Sequence, residues 1–352
     1  MMIRMLACAF ALTVLSTPVR AEVKITVAYR EAADLFFLMD NVSEWDKGAT
    51  DPLYRAEWTK RFGWSAQDQE IADRYREYRN STMKDIVPDG ILPADVAGSD
   101  PLAEYFMPQT AIDTALKNFD QSMTPTDAET LRRFYAHFAP KWRLMIGDNR
   151  ALVDGADRLD RQFQSGKVRA FIDRMSRFYG VKTDGAFTVL FARYPPGERS
   201  RANVIQGRYI LLNSPFGSQV DPAKWDEIVM HEFAHYLSMH QPLLQKQALT
   251  SQFLTACPVP VGIKALWLFE EPLAVAWGQA AYSVKVKGRP LDPQQNWYSV
   301  PWIDLVSRAI APSIIAAYDS DATINDGIAK EASDRCESLK AIQAQLNGAV
   351  LN

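Results

Sequence analysis

Polar and apolar positions alternate from Glu22 to Arg30, with Val23, Ile25 and Val27 on one face, the period of a short half-buried strand. From Glu31 to about Gly180 the spacing turns helical. Residues 66–79 are rich in Glu, Arg and Tyr at helical intervals. Thr126 and Glu129 form a capping box ahead of a periodic run to Phe138, which Pro140 is expected to stop. Lys167 to Tyr179 sets Val168, Phe171, Ile172, Met175 and Phe178 on one stripe before Gly180, which predicts another helix.

The texture then changes. Phe187 to Arg193 is β-branched and aromatic, ended by Tyr194-Pro195-Pro196-Gly197, and Arg208 to Asn213 reads as a second strand closed by Ser214-Pro215. Asp221-Pro222 starts a helix running to about His240, because Asp can cap free N–H groups and Pro fits the first helical position. Past Pro242, Pro258 and Pro260, the strongly apolar segment from Ala265 to Tyr282 predicts a buried helix. Two amphipathic patterns follow, around 302–317 and 327–346.

The first 21 residues look like a targeting segment. Arg4 gives a positive start, Met5 to Leu15 are apolar except Thr13, and Val19-Arg20-Ala21 ends on a small residue suited to cleavage. The apolar run is too short for a transmembrane helix, which takes about 20 residues; a buried N-terminal helix is the alternative. Cleavage removes Arg4 and Arg20 and no acid, taking the formal charge from −3 to −5. No later stretch resembles a membrane span, so the mature chain is expected to be exported, periplasmic or secreted, without stable membrane insertion. Cys257 and Cys336 then remain, either as a disulfide in an oxidising compartment or as two unrelated thiols.

The chain has 352 residues, 47% of them hydrophobic, enough to bury one large core or two ordinary ones. Its 39 basic and 42 acidic residues are nearly balanced and argue against nucleic acid as a partner, since a phosphate backbone calls for a basic patch. No clear linker divides the chain. The expected organisation is a leader at 1–21, a helical subdomain at 22–165, a core at 166–290 and a C-terminal helical region at 291–352.

The chemistry concentrates in His231-Glu232-Phe233-Ala234-His235, two of the chain's four histidines in an HExxH motif. On a helix, positions i and i+4 lie one above the other, so both imidazoles can reach one ion, with Zn²⁺ the expected metal. Glu232 sits about 100° further round, where its carboxylate can serve as general base towards a water. The longer HExxHxxGxxH pattern is absent, because Ser238 and Gln241 stand where Gly and His would be. His240 falls on another face and reads as a helix-end histidine near the negative end of the dipole.

A third ligand is expected from Trp267-Leu268-Phe269-Glu270-Glu271-Pro272-Leu273-Ala274, where two carboxylates interrupt an apolar stretch that would otherwise penalise them. Here the chain resembles the gluzincin peptidases, the HExxH…E class, in which a Glu on a later helix completes the zinc site. Matching their W-L-x-E-G-x-A pattern from the Ala selects Glu271, and matching from the Trp selects Glu270. Glu271 is preferred, since Ala274 then places a small residue one turn from the ligand, where two helices must approach. Pro272 departs from the pattern and suggests that the helix begins near Glu270 or Glu271.

The resemblance covers roughly residues 187–283. It implies an α+β fold, mostly helical, with a small zincin-like sheet packed on the HExxH helix, and hydrolysis of a peptide or protein substrate. It also implies that the strand at 208–213 is a sheet edge that pairs with extended substrate. A covered strand is the alternative. An oxyanion donor should lie downstream, with Tyr282, Arg289, Tyr298 and Tyr318 as candidates. A partner-binding scaffold without turnover, or a metal-dependent amidase of cell-wall material, would use the same parts.

Overall fold

The computed structural model describes residues 23–45, 50–83, 100–181, 186–194, 202–205, 209–215, 221–256, 265–292, 294–324, 327–328, 330–332 and 334. The leader expected at 1–21, both Cys257 and Cys336, and most of the helical pattern at 327–346 lie outside them. The elements are β1 (Lys24–Tyr29), α1 (Glu31–Ser43), α2 (Pro52–Phe62), α3 (Ala66–Thr82), α4 (Ala103–Phe106), α5 (Ile112–Ser122), α6 (Pro125–Ile146), α7 (Arg150–Phe163) and α8 (Gly166–Phe178). Then follow β2 (Ala186–Tyr194), β3 (Ala202–Ile205), β4 (Tyr209–Pro215), α9 (Pro222–Met239), α10 (Leu243–Ala256) and α11 (Ala265–Val275). A π-helical turn (Ala276–Ala281) continues α11 into α12 (Tyr282–Lys285), and α13 (Pro301–Ser320) completes the set. The described residues are mostly helical with one small sheet, the α+β class expected. No described helix is long and apolar enough to cross a membrane.

The four strands lie in the order β1-β2-β4-β3. β1, β2 and β4 are parallel, and β3 pairs antiparallel with β4. β2 is buried on both faces from Phe187 to Arg193, consistent with its mainly apolar, non-alternating sequence. Phe187, Val189 and Phe191 enter a core shared with α7, α8, α9, the α11–α12 rod and α13, while Leu190 and Ala192 join Tyr209 in a second core under helices α1–α6. The sheet thus separates two helical layers. The first core draws on both sides of residue 165, since β1 and α7 contribute to it together with α8 to α13.

Three local expectations are corrected. β4 is not a sheet edge: β3, a four-residue strand not anticipated from the sequence, covers it along Tyr209–Leu212. The cap of α6 lies two residues earlier than expected, on Thr124, whose hydroxyl oxygen accepts a hydrogen bond from Asp127 N at 3.2 Å, with Pro125 in the first turn. Pro140 does not stop α6, which continues to Ile146 before Gly147 at φ 63°. The helix survives its proline because Trp142, Met145 and Ile146 are buried beyond it, and tertiary packing outweighs the lost hydrogen bond.

The outer edge of β1 is blunted by α7: Val27 N donates to Asp160 Oδ1 at 2.8 Å, and Gln164 Nε2 donates to Ile25 O at 2.9 Å. On the other side of the sheet, Asp34 of α1 fastens the strand ends. Its carboxylate accepts from Arg193 N at 2.8 Å and from the Tyr29 hydroxyl at 2.7 Å. Burial pushes this carboxyl from 3.8 up to about 6, although both hydrogen bonds and the Arg193 charge pull it down.

A folded pKa above the unfolded one means that the native state binds the proton more tightly. The associated stability is full below pH 3.8 and is lost as pH rises through about 6. Asp34→Asn removes this dependence. Denaturant midpoints of the pair between pH 4 and 7 should therefore converge or cross as pH rises. The wild type should forfeit about 3 kcal/mol relative to the variant, and parallel pH profiles would refute the assignment.

Candidate metal centre

α9 begins at Asp221-Pro222, as the sequence indicates, and lies embedded in the core through Trp225, Val229, Met230, Phe233, Ala234 and Leu237. That burial fixes the helix on which His231 and His235 stand one turn apart, their rings 4.9 Å between centroids and inclined at 76°. The two Nε2 atoms are 3.2 Å apart. Glu271 of α11 meets them from the facing helix, Oε1 at 3.3 Å from His231 Nε2 and Oε2 at 3.1 Å from His235 Nε2. His231 and Glu271 are buried, and His235 is half-buried.

These groups shape one another's charge. Burial would raise the Glu271 carboxyl, yet hydrogen bonds and charges from His231 and His235 hold it well below the ordinary carboxylate range. Burial lowers His235, but its hydrogen bond to Glu271 and the charges of Glu271, Glu232 and Glu270 carry it up to about 9. A buried carboxylate facing two imidazole nitrogens needs positive charge between them, supplied by a proton or by a cation.

The donor set fits a metal. A tetrahedral zinc with ligands at about 2.0–2.1 Å holds its ligand atoms about 3.3 Å apart; the two Nε2 atoms are 3.2 Å apart, and a different Glu271 oxygen faces each of them, at 3.3 and 3.1 Å. Among the described residues, His231, His235 and Glu271 form the one buried group able to hold a metal ion. Among the described residues, none bonds to the buried His231 Nδ1, the atom through which an outer partner usually orients a ligating imidazole.

Glu270 points elsewhere. Its Oε1 accepts from Ser238 Oγ at 2.8 Å and pairs with Lys246 Nζ at 2.6 Å, which turns the carboxylate towards α10 and away from the histidines. α11 begins at Ala265 rather than at Glu270 or Glu271, with Pro272 inside it, a second case in which buried flanking residues (Leu273, Ala274 and Val275) sustain a helix through a proline. Glu232 is half-buried, and its negative charge raises both His235 and the Tyr298 phenol, so it stands beside the cluster without belonging to it.

Of the four downstream candidates, the structure brings Tyr298 to the site. Its ring lies 6.1 Å from that of His231 at 13°, and burial together with the neighbouring Glu271 carboxylate pushes its phenol up. Asp304 in the first turn of α13 fastens this loop, accepting from Trp297 N at 2.8 Å and Tyr298 N at 3.2 Å. Tyr282 instead receives a hydrogen bond from Gln162, Arg289 pairs with Glu227, and Tyr318 stacks on Phe171.

Gly278 went unnoticed in the sequence. It sits in the π-helical turn, seven residues and so about two turns after Glu271, hard against α9 beside His231. A glycine on the ligand's own helix face was the available signal. No protein-family model, curated protein or solved structure matches this chain.

Proposed function

We propose that the chain is an exported zinc-dependent peptidase with a zincin-like core, of the gluzincin kind. The observation that carries the reading is the convergence of two imidazoles from one helix and one carboxylate from another, with the two Nε2 atoms 3.2 Å apart and a Glu271 oxygen against each. His231, His235 and Glu271 would hold the ion. Zinc bound there supplies Lewis-acid polarisation of a carbonyl and lowers the pKa of water towards about 7.

The protein's own groups do the rest. Glu232, next to the cluster but outside the donor set, accepts the proton of the attacking water and returns it to the departing amine. The Tyr298 hydroxyl, brought near Glu271 on the Asp304-fastened loop, can donate to the oxygen on which negative charge develops. The substrate-pairing role expected of 208–213 passes to β3, the actual sheet edge on that side, whose outer backbone groups can pair with an extended peptide.

A substrate screen tests the reaction class. The mature protein, supplied with zinc, is incubated with casein, short peptides and muropeptides. Chelator-sensitive cleavage of casein or peptides is expected. Turnover of muropeptides alone would make the chain an amidase, and zinc binding with no turnover of any of them would leave a binding scaffold.

A further inference from the structure

The two rods that carry the cluster touch backbone to backbone, and they do so at a ligand. A β-carbon on Gly278 would stand 2.7 Å from Glu227 O, 2.7 Å from His231 N and 2.8 Å from His231 Cβ. None of these is the end of a flexible side chain; all are fixed by α9 itself. Heavy atoms settle at about 3.5–4.0 Å, so a methyl group here would need the rods to separate by on the order of 1 Å.

The π-helical turn has little room to retreat. Its Trp277 ring is wedged against Phe171 at 5.6 Å and Phe178 at 5.0 Å, and Ala276, Ala280 and Ala281 are buried in the same core. Because α11, the π turn and α12 form one continuous helical rod, the contact at Gly278 and the carboxylate of Glu271 move together. The separation of rods at Gly278 therefore sets the separation of donor atoms at the cluster. A shift on the order of 1 Å is ruinous to a site built to such tolerances.

We propose that Gly278 is a positioning residue for the metal centre: its missing side chain lets α9 and the α11–α12 rod close until Glu271 meets His231 and His235 at ligand spacing. This inference rests on the metal-centre reading above. π turns recur at functional sites, and here the turn presents its glycine to the ligand helix.

The test compares wild type, Gly278→Ala and Ala311→Val, the last an enlargement by two carbons at buried Ala311 of α13 in the same core. Each is titrated with zinc against a competing chelator, the Co²⁺ absorption spectrum is recorded, and metal-free thermal midpoints are measured. Gly278→Ala should bind zinc about 10- to 100-fold more weakly, the range for lost ligand support, with an altered Co²⁺ spectrum. Ala311→Val should lose thermal stability yet keep wild-type affinity and spectrum. If Gly278→Ala does not fold without metal, the titration is run in trimethylamine N-oxide, which favours burial.

Wild-type affinity in Gly278→Ala, or an equal loss in Ala311→Val, overturns the positioning role while leaving the metal centre intact. Wild-type protein that binds neither ion overturns the metal centre and this inference with it.

Discussion

Glu271→Gln should strip the metal from the protein, while Glu270→Gln should leave it bound. The two acids are adjacent in sequence but face different partners. Glu271 offers its oxygens to both histidine Nε2 atoms, and Glu270 is taken up by Ser238 and Lys246. Gln keeps the volume of either side chain but loses the charge, and a neutral amide is a poor zinc ligand. Loss of one of three protein ligands should weaken zinc by more than the about 10- to 100-fold that outer partners contribute.

Glu270→Gln should show the complementary pattern. Its cost falls on folding, because Lys246 would keep a partly buried charge without its counter-ion. Zinc titration and thermal denaturation of both variants separate the roles. Retained zinc in Glu271→Gln together with lost zinc in Glu270→Gln would exchange the two assignments.

Glu232→Gln is expected to retain zinc and lose hydrolysis. The side chain lies outside the donor set, so the change leaves the ligands in place. It removes the group that takes the proton from water, a contribution of about 10²- to 10⁴-fold in general-base catalysis. His231→Ala and His235→Ala should lose metal and activity together. A Glu232→Gln protein that hydrolyses peptides at the wild-type rate would exclude the mechanism, whatever its zinc content.

The parts of this account that were legible in the sequence are those whose cause is local. Asp221-Pro222 announces α9, the i, i+4 spacing of His231 and His235 needs only a helix, and Phe187 to Arg193 declares a strand by its β-branched and aromatic composition. What stayed hidden depends on partners distant in the chain. β3 is four residues long, and its strand character comes from pairing with β4. Pro140 and Pro272 carry a local stop signal that packing of the residues beyond them overrides. Glu271 rather than Glu270 meets the histidines because Lys246 and Ser238 take up Glu270, and Asp304 holds the loop that brings Tyr298 beside His231. Glu–x–x–Ala placed a small residue at Ala274, and the backbone contact against His231 lies one turn further on, at Gly278.

The same spacing argument makes one measurement decisive. Metal content of the purified mature protein is determined before and after chelation, with peptidase activity followed in the same samples. The arrangement of His231, His235 and Glu271 predicts one zinc per chain, removed by chelation together with activity, both restored when zinc is returned. Folded protein that takes up no zinc when zinc is supplied, or that takes up as much after His231→Ala and His235→Ala, would contradict it.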